Sequence, residues 1–196
     1  MRKIDGFSDF HPLTRKQWRA WLAKHHDKSE GVWFVYFKKH TGQPRVSYDD
    51  AVEEALCFGW IDSLPRKFDE DRSKLLFTPR KPKSVWSLPN KQRVAAMIAN
   101  GAMTPVGLAK VEAARQDGSW QALDATYKLE IPDELAQAFR RNKTAQKNFD
   151  GFANSVKKGL LYWVTSAKRP ETRAARVEKI VTMAAHNKKA NFDKEQ

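Results

Sequence analysis

The sequence predicts an α+β fold: a small antiparallel sheet with packed helices in the N-terminal half, followed by a helical C-terminal subdomain. Two observations carry that expectation. The strand-like signals, Val32–Phe37 and the run 60–80, fall before residue 88, whereas every segment after the Lys81-Pro82-Lys83 break has helical periodicity. Strands first and helices afterwards is the segregated arrangement of α+β proteins. The expected division is an α+β subdomain over 1–88 with its hairpin at 60–80, a helical subdomain over 89–187, and a flexible tail over 188–196.

Taken in order, Thr14 and Gln17 have the spacing of a capping box, and Trp18, Trp21, Leu22 and His25 share one face of the helix that follows. Leu13 and Trp18 have the positions of a hydrophobic staple. Val32–Phe37 is β-branched and aromatic throughout, which suits an interior strand. Ser47 and Asp50 form a second expected box, opening a helix that presents Val52, Ala55 and Leu56 inward and ends near Gly59. Residues 60–68 and 72–80 flank the acidic turn Asp69-Glu70-Asp71 as a hairpin, and Pro65 and Pro79 put its strands at an edge or near their ends. Pro89, Thr104-Pro105, Pro132-Asp133 and Pro170 mark later helix starts, and Asn100-Gly101 and Asp117-Gly118 mark stops. Leu135, Ala138 and Phe139 stripe one of these helices. Val156, Leu160, Trp163 and Val164 stripe a longer one, and Ala174, Val177, Val181 and Ala184 the last.

Hydrophobic residues make up 41% of the 196, with seven Trp, which is ample for a packed core. The single Cys57 excludes an internal disulfide and any zinc site with two thiolates from one chain. Placed near a helix C-terminus, where the dipole disfavours a thiolate, it reads as a small core residue. The longest apolar stretch, 31–37, is far short of the ~20 residues that span a bilayer, and the N-terminus lacks a signal-peptide pattern, so a cytoplasmic protein without membrane insertion is expected. The formal charge of +13 is spread evenly, with 19 Lys and Arg against 12 acids in residues 1–100 and 17 against 11 thereafter. An even spread is chiefly a solubility feature that favours an anionic partner such as an acidic protein or peptide. Nucleic acid is the less favoured partner, because a binding arm would concentrate the charge.

Phosphate-binding glycine loops, nucleophile elbows and paired zinc histidines are all missing, so no cofactor and no metal are expected. The chemistry-bearing residues gather instead in E-E-A-L-C-F-G-W-I-D, residues 53–62, and in F-T-P-R-K-P-K-S-V-W-S-L-P-N, residues 77–90. Hairpin pairing about the acidic turn sets Asp62 opposite Thr78, Pro79 or Arg80. The candidate ligand-binding set is therefore Trp60, Asp62, Arg72, Arg80, Ser84, Trp86 and Asn90. Two readings stay open for it. An Asp62–Arg80 pair fixes the hairpin to the next loop with both Trp in the core, or it forms a two-signed polar site with aromatic walls. A second basic set, Lys168, Arg169, Arg173 and Arg176, lies beside the Pro170 helix start. It is either an anion dock or a solvated face paired locally with Glu171 and Glu178.

The motifs at 53–62 and 77–90, with A-K-R-P-E-T-R-A-A-R-V at 167–177, closely resemble the YdeI/OmpD-associated family of bacterial proteins, also called bacteriocin-protection proteins. Residues 101–107 and 118–120 resemble that family's central segment. The resemblance implies a family without an established biochemical activity, whose name suggests envelope or peptide-antibiotic stress and for which a periplasmic placement has been proposed. The expectation is thus a non-enzymatic binding or stress-protection protein. The alternatives are a nucleic-acid binder using diffuse charge and an enzyme pairing Asp62 as acid or base with Arg80 or Arg72.

Overall fold

The computed structural model describes residues 3–193, which divide into two compact units, one ending at Gln121 and one beginning at Ala122. The first unit runs past the division expected at residue 88.

In the first unit, Thr14 caps α1 (Arg15–His25) with both bonds of the capping box in place. Ser47 caps α2 (Tyr48–Cys57) by accepting the Asp50 N–H, but its hydroxyl also donates to the Asp50 carboxylate at 2.7 Å. That end is therefore half of the expected reciprocal box. Gly59 follows α2 at φ 72°, a left-handed turn that a side chain would strain, and sends the chain directly into a strand. The sheet has four strands in the order β1 (Asp9–Phe10), β2 (Val32–Phe37), β4 (Arg72–Pro79), β3 (Trp60–Lys67). The expected interior strand is thus β2, and the hairpin is β3–β4. The sheet is mixed, because β1 pairs parallel to β2; two residues are too few to show a period.

The hairpin register differs from the expected one. Near the tip Arg66 pairs with Lys74, but a bulge between Asp62 and Pro65 inserts an extra β3 residue, so Asp62 lies opposite Phe77. A one-residue slip exchanges faces, so the bulge decides where Asp62 points.

One face of the sheet packs on α1 and α2 through Trp18. Its ring lies 4.9 Å from Phe34 and 5.2 Å from Phe77, and its Nε1–H donates to the Ala51 carbonyl at 3.0 Å. Each such buried indole contributes roughly 3 kcal/mol of apolar burial. Helices α3 (Leu88–Ala99) and α4 (Pro105–Gln116) complete this unit rather than opening the next. Thr104 caps α4 and also donates its hydroxyl to the Cys57 carbonyl at 2.5 Å. Gly107 seats α4 on the end of α2: a Cβ there would stand 2.3 Å from the Cys57 carbonyl oxygen.

The second unit is helical: α5 (Asp124–Tyr127), α6 (Asp133–Arg141), α7 (Lys143–Asp150), α8 (Asn154–Thr165) and α9 (Pro170–Ala185). Its core gathers Leu135, Phe139, Phe149, Leu160, Val164, Val177, Ile180 and Ala184. On α9 the buried stripe is Val177, Ile180 and Ala184, while Ala174 is exposed and Val181 half-buried. Of the expected tail, 188–193 is folded back, with Ala190 buried and the Lys189 N–H bonded to Asp193; residues 194–196 lie outside the described residues. Among the described residues no helix is long and apolar enough to cross a membrane.

Candidate functional site

Alternation along β3 and β4 sorts the predicted residues. Trp60, Asp62, Leu75 and Phe77 fall on the helix-covered face, and Ile61, Ser63, Leu76 and Thr78 on the other. Trp60 is buried in the core, its Nε1–H donating to the His26 carbonyl at 3.1 Å. Asp62 accepts the Tyr48 hydroxyl at 2.9 Å. The Tyr48 phenol is pushed up to about 12, first by burial and then by the Asp62 carboxylate. Asp62 makes no ion pair with Arg80 among the described residues; its charge reaches Arg80 only through space.

Arg80 is the unusual group of the set. It is 5% exposed, its guanidinium lies 3.6 Å from the Trp86 ring centroid, and one Nη donates to the Val85 carbonyl at 2.7 Å. Its Nε–H meets no acceptor among the described residues. Burial without a carboxylate partner pulls its pKa down to about 10, which still leaves it cationic at neutral pH. Ser84 lies beside it: the Ser84 carbonyl accepts from the guanidinium at 3.4 Å and the Ser84 hydroxyl donates to the Lys81 carbonyl. Arg80, Ser84 and Trp86 are thus brought together. Arg72 sits at the other end of β4, roughly 25 Å away by strand rise, and pairs with Asp69. Asn90 belongs to the first turn of α3, where its side chain accepts from Arg93.

The Arg80 loop borders two hollows. The larger, about 690 Å³, lies along the face of the sheet opposite α1 and α2, with an apolar lining from Phe7, Ile61, Leu76 and Pro79 and polar groups from Arg80 and Lys81. The smaller, about 80 Å³, is lined by Arg80, Trp86, Lys83, Lys110, Asp117 and Ser119 among others.

Residues 10–110, just over half of the chain, match the family described as "Domain of unknown function (DUF8412)". The chain belongs to that family. Residues 128–187 match the family described as "Bacteriocin-protection, YdeI or OmpD-Associated". No curated protein and no solved structure matches. The likeness to the bacteriocin-protection family is therefore narrower than the sequence motifs imply. It covers most of the second unit, including the 167–177 motif, whereas the motifs at 53–62 and 77–90 lie in the DUF8412 segment.

Within that DUF8412 segment lies a charged network that no sequence motif marks. Glu54, 3% exposed, accepts from Arg15 and Arg19 at 2.6 Å each, and Arg15 also reaches Asp50 and Glu53. Arg19 continues to the Ala102 carbonyl, tying α1, α2 and the α3–α4 turn together. Asp50 is held below its usual pKa first by the Ser47 hydroxyl and then by Arg15. Cys57 is fully buried, and burial pushes its thiol pKa up. The only sequence signal for the network was the Glu53-Glu54 pair; its cationic partners lie 35 and 39 positions away.

In the bacteriocin-protection segment the four expected cations separate. Lys168 and Arg173 line a hollow of about 560 Å³ together with Glu134 and Glu178. Arg173 pairs with Glu134 at 3.2 Å, and Arg176 turns to the Trp163 carbonyl and ring. Arg169 is the residue before α9 and caps it without a side-chain bond. Among the described residues no group of three or more His, Cys, Asp or Glu could hold a metal.

Proposed function

We propose that the protein is a non-catalytic binding protein whose ligand is an acidic, peptide-like molecule held along the sheet groove beside Arg80. The observation that carries this reading is the pairing of an apolar groove of about 690 Å³ with a buried guanidinium that lacks a carboxylate partner at its margin. An apolar surface with a few fixed polar groups is the ordinary make-up of a ligand site. A carboxylate would give Arg80 the charge-assisted partner the fold withholds. The net charge of +13 selects an acidic ligand over a basic one.

Asp62 supports binding over catalysis, because its bond to Tyr48 holds the one candidate acid–base group on the opposite face of the sheet. In keeping with the description of the family matched at 128–187, such binding would serve tolerance of a peptide toxin.

The test is calorimetric titration of the full chain with a short apolar peptide ending in a free carboxylate, and with its C-terminally amidated counterpart. The expected result is saturable binding that weakens about tenfold on amidation, a charge-assisted hydrogen bond having been lost. Thr78→Glu, which sets a like charge on the groove lining, should abolish it. Equal affinity for both peptides, or none for either, would overturn the reading.

A further inference from the structure

We propose that the small hollow between the Arg80 loop and the C-terminal part of α4 binds one tetrahedral oxyanion, either inorganic phosphate or the terminal group of a small phosphate monoester. Two buried side chains meet there with unmatched polar atoms. Arg80 is 5% and Ser119 6% exposed, and neither the Arg80 Nε–H nor the Ser119 hydroxyl makes a hydrogen bond among the described residues. Leaving either unmatched costs about 1–3 kcal/mol. Both atoms donate, so one anion would satisfy them together.

The charge of the lining points the same way. Lys81, Lys83 and Lys110 join Arg80 on the hollow, and none of these lysines has an ion-pair partner among the described residues. The one opposing acid is Asp117. It already accepts the Ser119 backbone N–H at 2.9 Å, and the Ser119 hydroxyl lies near enough to lower its pKa without reaching hydrogen-bond geometry. Size narrows the ligand. At ~10–15 Å³ for each water on the same measure, about 80 Å³ holds several waters or one tetrahedral group, and no extended chain. That favours a free ion or monoester over the diester backbone of a nucleic acid. The proposal does not depend on the sheet groove, although Arg80 borders both.

The experiment titrates the full chain, in chloride buffer at constant ionic strength, with inorganic phosphate, with glycerol phosphate and with a single-stranded oligonucleotide. Binding is read by calorimetry and by the rise in melting temperature that a ligand of the folded state produces. Saturable one-to-one binding of phosphate or the monoester is expected. Ser119→Ala should weaken it about tenfold while changing the ligand-free melting temperature little, since the hydroxyl it removes meets no acceptor in hydrogen-bond geometry and only favours the exposed Asp117 carboxylate. Lys110→Ala should weaken it about fivefold. Thr78→Glu, at a half-buried position that lines the groove and not this hollow, should leave it unchanged. Three results would overturn the proposal: no saturation by either phosphate, an unaltered response in Ser119→Ala, or an oligonucleotide bound more tightly than the monoester with a steep salt dependence. If the carboxylate peptide binds while phosphate does not, the groove reading stands and this one falls.

Discussion

Two buried charges in the first unit are handled in opposite ways. Glu54 is enclosed by two guanidiniums, and both its carboxylate oxygens accept a hydrogen bond from an arginine. Arg80 is almost as deeply buried, yet it has an indole face and backbone carbonyls where a carboxylate would be expected. Taking a charge out of water is unfavourable by several kcal/mol, so a fold that leaves one half-matched holds it in place by other means. Here the Trp86 stack and the backbone contacts of the 80–85 loop do so. On the proposed function, the difference separates architecture from recognition: balanced charge joins helices, and unbalanced charge is left for a ligand.

The contrast can be broken by substitution. Glu54→Gln leaves Arg15 and Arg19 without their shared buried partner, and a loss of about 3 kcal/mol in urea unfolding is expected. Arg80→Met keeps an unbranched apolar stem and removes an ill-matched charge. Its stability should stay within about 1 kcal/mol of the parent, on either side, while ligand binding is lost. Comparable destabilisation by the two variants would erase the distinction between them.

Tyr48 sharpens the comparison at a smaller scale, because its hydroxyl, and not Arg80, is the group that hydrogen-bonds the Asp62 carboxylate. Tyr48→Phe should cost about 0.5 kcal/mol, a modest figure for a hydrogen bond screened by solvent. The fold favours the neutral phenol, so this contribution is intact below pH 10 and is lost as pH rises through about 12. Ultraviolet titration of the tyrosines should show one late component that disappears in Tyr48→Phe and moves to lower pH in Asp62→Asn. A late component that persists in Tyr48→Phe would reassign it.

Local signals were the ones that could be read from the sequence. The Thr14 box, the Thr104-Pro105 start and the acidic turn of the hairpin each lie within a few residues of what they specify, and each forms. The bulge at 63–64 carries no glycine, and Pro65 beside it marks an edge or a strand end as readily as a bulge, so the expected register was displaced and Asp62 was assigned to the wrong partners. Helix α7 has only Ala145 and Phe149 buried over eight residues, too little periodicity to register. For the site, Arg80, Ser84 and Trp86 were found through their clustered motif. Arg15, Arg19 and Ser119 were not, because each meets its neighbours only after the chain has folded back across tens of residues.

The seating of Gly107 against the Cys57 carbonyl bears on where this chain can be cut or recombined. A gene fragment stopped at residue 88 would strip the last turn of α2 of both its hydroxyl partner from Thr104 and the helix that lies on it, so such a truncate should be recovered insoluble. A breakpoint beside Gln121 severs neither, and an N-terminal piece ending there should keep its native thermal transition.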